Sequence, residues 1–395
     1  MKPSFIIANI IRSPSDPHAQ VLCETGALRK YFCGTRNFTK GIPKGLQKLY
    51  PLYGMLAYAA YRSLHPYYGE SARFALCPSF ERRVIKSIQP GDHIIGGIGY
   101  LNHCIEKVHE TGGLALLDAR NSHPSSFWTI MAEEYARWGY PMPPIYPKHH
   151  LRQQRSVALA DYFFVPSHFV RDSFINAGIP PEKLLYLPYP VELSTFSPPA
   201  QARPADRPLT LSCAGGCSFR KGTPYLFEAL RIIQREVPDV RLKITGRPGP
   251  QIRPLFQKHG YDKLPIEFHA RMSHPELVKW LHGSDVYVLP SLEEGMVRSA
   301  AEAMACGLPV VTTPHSGIND AIMEDVCGSI VPIREPQAIA DAVLKWWDRI
   351  RSGEYIAAEA VVNQHALGFE TFRTRFLQHL KNVGFEIDLE MIPLS

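Results

Sequence analysis

The chain has no C-x-x-C pair, no G-x-x-x-x-G-K-[ST] loop, no D-x-D and no H-E-x-x-H. The first absence speaks against a zinc ribbon or a dithiol redox centre; the second excludes a Walker-type nucleotide cradle. Without D-x-D or H-E-x-x-H the sequence offers no ready-made metal clamp, so no metal ligand is assigned. The eight cysteines are scattered, with only Cys23 and Cys33, and Cys213 and Cys217, close in sequence. Such a distribution fits reduced, buried thiols of a cytosolic protein. No Lys/Arg block accompanies the formal charge of +6, so nucleic acid is not an expected partner. No apolar run reaches the roughly 20 residues of a membrane span. The most lipid-like stretch, Leu46 to Tyr61, carries Lys48 and Pro51 and reads first as a core helix. With Lys40, Lys44, Lys48 and Arg62 around it, the other reading is an interfacial helix against an acidic membrane surface. The opening MKPSFIIANIIRSP is too short in apolar residues for an export signal and has no cleavage site, so the expected location is cytoplasmic, with the inner membrane surface as a contact.

What is present is an ordinary globular mixture, 45% hydrophobic and 20% charged, over 395 residues. That length suggests two domains. Six prolines between Pro188 and Pro208 mark a stiff linker, giving domains at 1–190 and 205–365. In the first, Phe5 to Ile11 reads as a strand and His18 to Phe32 as a helix; His93 to Ile95 and Leu114 to Leu117 read as further buried strands. The glycines of GGIGY, Gly96, Gly97 and Gly99, lack the full dinucleotide-binding spacing and are explained by a tight turn. DARNSHP, Asp118 to Pro124, follows the Leu114 strand at the carboxyl end, where open α/β sheets bind ligands. In the second domain Leu209 to Ala214, Arg241 to Gly246 and Ile266 to Phe268 read as strands. The loop GGCSFRKG, Gly215 to Gly222, precedes a helix with Tyr225, Leu226, Ala229, Leu230 and Ile233 at helical spacing. The expected class is α/β, with two Rossmann-like domains.

The most informative stretch is Asp285 to Thr313. Val286 to Leu289 and Pro309 to Thr313 are strand-like; Met296 to Cys306 is rich in helix formers and ends at Gly307 and Pro309. In such a strand–loop–helix–strand unit the amides of Gly295, Met296 and Val297, at the helix start, would be free to meet an anion. Glu294 and Glu302 flank that position. Carboxylates repel an anion, so their use there would be to accept hydrogen bonds from ligand hydroxyls; otherwise they are solvated charges on a surface helix.

The arrangement resembles the E-x7-E signature of retaining, nucleotide-sugar-dependent glycosyltransferases of the two-domain GT-B fold, in particular family 4. Pro290, Ser291, Glu294 and Gly295 match its P-S-x-x-E-G, and Glu302, Ala303, Met304, Ala305, Gly307, Pro309, Val310 and Val311 match its E-A-M-A-x-G-x-P-V-V. Ala160 to Phe174 and Tyr186 to Phe196 resemble two more of its passages, at the exit from the first domain. Ser167, within the first, reads as a helix cap. The resemblance implies two domains facing each other across a cleft, with Glu294 on the donor sugar and Glu302 on the nucleotide ribose. Lys221 matches a diphosphate-binding lysine, while Gly216 stands where the family has arginine and Arg220 is the candidate replacement. Gly215 and Gly216 would lie at the diphosphate, and the loop His269 to Met272 at the base. His123 is the candidate near the sugar, in competition with Asp118, Arg120 and Asn121. Gly317 keeps one residue of a turn near the sugar phosphate. The tail from about Ala366, residues 366–395, would cross back onto the first domain. A departure is Met296, Val297 and Arg298 after Glu294 and Gly295, where the family has an aromatic and a small residue.

The implied reaction moves a sugar from a nucleotide diphosphate to a glycan, lipid-linked or small-molecule acceptor, with no cofactor beyond the donor. Two other readings are a non-catalytic nucleotide-sugar-binding subunit and a sugar-nucleotide epimerase on the same fold.

Overall fold

A computed structural model describes residues 3–10, 16–35, 37–63, 66–143, 146–192, 195–200, 206–249, 252–270, 272–355 and 367–387. The linker stretch 201–205, Arg271, the side chains of Tyr61 and Arg62, Ile11 and the tail beyond 387 lie outside the described residues.

Two parallel sheets organise the chain. The first contains β1 (Ser4–Asn9), β2 (Leu28–Cys33), β3 (Gln47–Leu49), β4 (Asp92–Gly97), β5 (Ala115–Asp118), β6 (Tyr162–Val165) and β7 (Leu184–Tyr186), in spatial order 3-2-1-4-5-6-7. Around it run α1 (Asp16–Glu24), α2 (Pro51–Ser63), α3 (Pro66–Ile85), α4 (Asn102–Glu110), α5 (Pro124–Arg137), α6 (Tyr146–Leu159) and α7 (His168–Asn176). The second contains β8 (Thr210–Ala214), β9 (Arg241–Thr245), β10 (Ile266–His269), β11 (Val286–Leu289), β12 (Val310–Thr312) and β13 (Gly328–Ile330), in order 10-9-8-11-12-13. Its helices are α8 (Thr223–Glu236), α9 (Arg253–His259), α10 (His274–His282), α11 (Arg298–Ala305) and α12 (Pro336–Arg351). Strands β5, β8, β11 and β12 are buried along their whole length and β1 and β4 at all but one residue, which is why these segments read as short, continuous apolar runs. In each sheet the order reverses next to its first strand, between β1 and β4 and between β8 and β11. Clefts at the carboxyl ends of strands beside such reversals are where open α/β sheets take ligands.

A last helix, α13 (Phe369–Val383), follows the second domain but lays Phe372, Phe376, Leu377 and Leu380 into the core of the first, beside Phe5, Ile7 and Phe164. Arg373 pairs with Glu24 at 3.0 Å, and the His379 ring meets the Tyr186 carbonyl at 2.8 Å.

Three sequence expectations are corrected. Leu28 to Cys33 is the strand β2 and not the continuation of a helix: α1 stops at Glu24, Gly26 turns the chain at φ +65°, and the Ala27 amide donates back to the Leu22 carbonyl. The Leu46 to Tyr61 stretch is not a core helix. Its start supplies β3, and α2 turns Tyr53 and Ala57 inward but leaves Leu52 62%, Met55 42%, Leu56 45% and Tyr58 61% exposed. The helix after β11 begins at Arg298 rather than Met296, because Val297 is extended and its amide is already bonded to the Ser316 carbonyl at 3.2 Å.

Candidate active site

The loops after β8 and β11 meet at the second sheet's reversal. After β8 the chain makes two left-handed glycine turns, Gly215 at φ +123° and Gly216 at φ +79°. A Cβ on Gly215 would sit 2.9 Å from the Lys221 Nζ, so glycine there leaves passage for the ammonium. Both glycine amides are engaged at the end of β9: Gly215 donates to Thr245 Oγ1 at 3.1 Å and Gly216 to the Thr245 carbonyl at 2.8 Å. Both amides therefore brace the loop against the end of β9.

Lys221 and Arg220 then reach the loop after β11. Lys221 Nζ lies 2.6 Å from Glu294 Oε1, and Arg220 Nη1 lies 3.0 Å from Glu294 Oε2 and 3.3 Å from Glu293 Oε2. Burial alone would raise the Glu294 carboxyl, but the two cations outweigh it and hold the group below the usual carboxylate range. Glu293, fully buried, is pushed up by desolvation against the pull of Arg220, with the Glu294 charge adding to the rise. Burial also works against the Arg220 charge, yet the two carboxylates hold its guanidinium above its ordinary value.

Glu302 stands one turn into α11, half-buried, its carboxylate without an ion pair or hydrogen bond among the described residues. Burial raises its carboxyl, and the fields of Arg298 and His274 only partly counter this. Its place relative to Lys221 follows through Tyr287. The Tyr287 hydroxyl is 2.7 Å from Ser299 Oγ on α11 and 3.3 Å from the Ala214 amide, the residue before Gly215, and the Glu302 charge reaches this phenol. Glu302, Gly215, Lys221 and Glu294 thus border one neighbourhood at the ends of β8 and β11. Met272 follows β10 and packs, half-buried, against the second domain's core.

Of the amides expected to be free at Gly295 to Val297, that of Val297 is engaged within the protein. All three residues are buried, Val297 donates to Ser316, and Met296 points its sulfur inward, 3.2 Å from the Tyr189 amide. Gly295 instead forms part of the junction between the domains. Its carbonyl accepts from Ser167 Oγ at 2.7 Å, and a Cβ there would fall 1.9 Å from the Arg120 carbonyl. Beside it Glu293 Oε1 accepts from the Ser122 amide at 2.8 Å and its hydroxyl at 2.9 Å. The DARNSHP loop of the first domain is therefore held against the Glu293–Gly295 loop of the second. His123 lies within that loop as the cap of α5: its Nδ1 accepts from the Ser125 amide at 3.2 Å and its ring meets Phe174 edge-on. Desolvation, with help from His150, lowers its pKa to about 4, so the ring is neutral at pH 7.

Next to this junction the first domain holds a cavity of about 260 Å³ at the carboxyl ends of β4 and β5. Arg73, Arg120, Trp128, His149 and His150 are among its walls, as are Asn121, Ser122 and Pro124 on either side of His123. Asp118 and Arg120 are braced rather than free. Arg120 Nε lies 3.3 Å from Asp118 Oδ2, its Nη2 donates to Asn9 at 2.9 Å, and the Tyr189 hydroxyl donates to Asp118 Oδ1 at 2.9 Å.

Two features escaped the sequence reading. Glu293 received no role from the sequence, and its burial against Ser122 reveals its link across the domains. Arg334 reaches from the loop before α12 to Glu134 on α5, 2.8 Å from a carboxylate that is wholly buried and also receives the Tyr225 hydroxyl. No spacing signals that partner, 200 residues away. Among the described residues no cluster of three or more His, Cys, Asp or Glu side chains could hold a metal ion, and no helix is long and apolar enough to cross a membrane.

Residues 208–349 match the family model described as glycosyl transferases group 1. The chain is 30% identical over 221 residues to the D-inositol 3-phosphate glycosyltransferase of Arthrobacter sp. (strain FB24), 52% of each chain. It is also 30% identical over 235 residues, 55% of this chain and 60% of the other, to the GDP-mannose-dependent alpha-(1-6)-phosphatidylinositol monomannoside mannosyltransferase of Mycolicibacterium smegmatis. The chain thus spans about half the length of the curated relatives it matches. Among solved structures, Anabaena HepE in complex with UDP superposes with a TM-score of 0.66 over 96% of this chain and 100% of the other, at 14% identity. The likeness extends over both sheets, so the fold is the GT-B arrangement of two Rossmann-like domains.

Proposed function

We infer that this chain, whose second domain belongs to the glycosyl transferases group 1 family, is a retaining glycosyltransferase that uses a nucleotide-diphosphate sugar. The observation that carries the reading is the convergence of Lys221 and Arg220 on Glu294 at the reversal of the second sheet, with Glu302 on the adjoining helix, where its charge reaches Tyr287. Transfer breaks the bond between the anomeric carbon and the diphosphate oxygen while negative charge grows on the leaving group. Lys221 and Arg220 are the fixed positive charges placed to stabilise it. Glu294 then accepts hydrogen bonds from donor-sugar hydroxyls and Glu302 from the ribose. An acceptor hydroxyl attacks the anomeric carbon from the leaving-group face, the new C–O bond forms as the old one breaks, and its proton passes to the departing diphosphate. His123 acts by fixing the loop it caps, and Met272 lies on the side of the nucleotide base. The reaction as proposed needs no cofactor or metal beyond the donor.

The named relatives and the UDP complex of HepE support a nucleotide-sugar donor and a hydroxylated acceptor. The exposed face of α2, with Leu52, Met55, Leu56 and Tyr58 beside the exposed Lys40, Lys44 and Lys48, supports contact with an anionic membrane surface on the cytoplasmic side. Vesicle flotation tests this: binding to anionic vesicles that falls in L52S/L56S is expected, and equal binding by that variant overturns it. The chemistry itself is tested by ¹H NMR of the product formed from an α-linked donor. An α product is expected; a β product overturns retention, and return of an isomerised donor sugar would make the chain an epimerase.

A further inference from the structure

Helix α5 carries an inference about how the two domains are held in register, resting on the transferase reading above. It runs between β5 and β6 of the first sheet, yet Met131 and Tyr135 lie in the core of the second domain, with Phe127, Ile130 and Trp138 packed against that core. Phe219, fully buried one residue before Arg220, meets the Tyr135 ring edge-on at 5.1 Å and stacks on Trp138 at 6.0 Å. Polar contacts tie both ends of the helix to the second domain as well. Just before its start Ser122 donates its amide and hydroxyl to Glu293, the neighbour of Glu294. Glu134 stands about 15 Å along the helix from Pro124, at 1.5 Å per residue. Its carboxylate is wholly buried and accepts from Trp138 Nε1 at 2.7 Å, from the Tyr225 hydroxyl at 2.8 Å and from Arg334 Nε at 2.8 Å. The same guanidinium spreads over Glu133, with Nη1 at 3.3 Å and Nη2 at 3.4 Å.

Two unfavourable features coincide at Arg334. Its φ is +65°, a left-handed conformation that sets Cβ against the carbonyl oxygen and that glycine adopts without strain. Among the described residues Asp325 is the other non-glycine at positive φ, and aspartate tolerates that region better than arginine does. A buried ion pair, for its part, adds little net stability, because desolvation of both charges cancels most of their attraction. Stability explains neither feature, whereas both follow if the guanidinium is needed to fix one arrangement of α5 on the second domain. We propose that Arg334 is a positioning residue for transfer: through Glu134 it clamps the far end of α5, so that the Ser122–His123 wall at the near end stays in register with Glu293, Glu294 and the two cations of the donor side. Among the described residues no ion pair joins Arg334 or Glu134 to Lys221, Glu294 or Glu302, so nucleotide affinity does not depend on the clamp.

The test compares the full chain with its double variant E134Q/R334G. Glutamine still accepts from Tyr225 and Trp138, glycine suits the backbone at position 334, and no unpaired buried charge is left, so the melting temperature should stay within about 4 °C of the wild type. Release of nucleoside diphosphate from UDP-, GDP- and ADP-glucose, with a pool of monosaccharide and polyol acceptors, should fall about ten- to a hundredfold in kcat, while affinity for UDP, GDP or ADP stays within about twofold. R334K, which keeps a charge for Glu134, should lie between the double variant and the wild type. Hydrogen exchange across α5 should quicken in E134Q/R334G by at least about threefold, and across β9 it should not change. Wild-type kcat in the double variant, a fall in kcat matched by equal losses of nucleotide affinity and melting temperature, or unchanged exchange across α5 overturns the proposal. A wild type that neither binds nor cleaves any of these nucleotides counts against the transferase reading instead, and exchange across α5 still reads the clamp.

Discussion

Replacing Glu294 by glutamine separates two jobs that the structure gives to one carboxylate. Glu294 neutralises Lys221 at 2.6 Å and Arg220 at 3.0 Å, the same cations proposed to receive the diphosphate. Formal charges over Arg220, Lys221, Glu293 and Glu294 sum to zero; glutamine leaves +1. Hydrogen bonds to charged groups contribute about 1.5–3 kcal/mol, and the low end applies because Arg220 keeps Glu293 and remains 30% exposed. Freed of that competition, the cations should bind the nucleoside diphosphate about tenfold more tightly, equivalent to about 1.4 kcal/mol. Transfer should move the other way. Loss of the charged acceptor for sugar hydroxyls should lower kcat by about ten- to a hundredfold. Calorimetry with UDP, GDP and ADP, followed by turnover with the sugar of whichever nucleotide binds, reads both numbers. Nucleoside diphosphate affinity that is unchanged or weaker in E294Q would refute the cationic cradle.

Lys221→Ala should lower kcat under saturating donor on the order of 10²- to 10³-fold, as loss of a charge-stabilising donor does, while stability falls by no more than about 1 kcal/mol because Arg220 still pairs Glu294. Unchanged turnover rejects the role. Phe376→Ala should cost about 3–5 kcal/mol in denaturant unfolding of the first domain, since the ring is fully buried among His18, Phe164 and Phe372; a cost under about 1 kcal/mol would mean that α13 does not dock there in solution. His123 and His149 titrate near pH 4 in the folded chain, below the ordinary value of 6.5, so between these limits the unfolded chain binds protons that the folded one does not. Stability is therefore lost as pH falls from 6.5 to 4, by up to about 3 kcal/mol per histidine, partly offset by Glu293 and Glu302, whose raised carboxyls act in the opposite sense. His123→Asn, which keeps a cap acceptor, should flatten the melting temperature against pH over that window; an unchanged profile contradicts the assignment.

The second domain was largely legible because its strands are continuous apolar runs between glycine turns. Val286–Leu289 was read to the residue, and the Gly215–Gly222 loop and its helix were found where the structure has them. The first domain was harder. The segment around Leu28 carries residues acceptable to helix or strand, and only the turn at Gly26 and pairing with β1 decide it. On α2 the apolar residues looked like core because sequence shows hydrophobicity without showing which side is covered. At the site, spacing brought Glu294, Glu302 and Lys221 to notice, but not the pairing of Glu294 with Lys221 and Arg220. Nor could it show that the Gly215, Gly216 and Val297 amides are spent within the protein. The cavity walls come from α3, α5, α6 and the loop after β5, elements joined only by folding.

The most direct test of the account is release of nucleoside diphosphate from UDP-, GDP- and ADP-sugars by the wild type and by E302A, with and without a pool of acceptors. One nucleotide sugar should raise the melting temperature, release its diphosphate slowly alone and faster with acceptor, and lose affinity in E302A. If every donor leaves the melting temperature unchanged and none is cleaved, the loops after β8 and β11 do not form a nucleotide-sugar site.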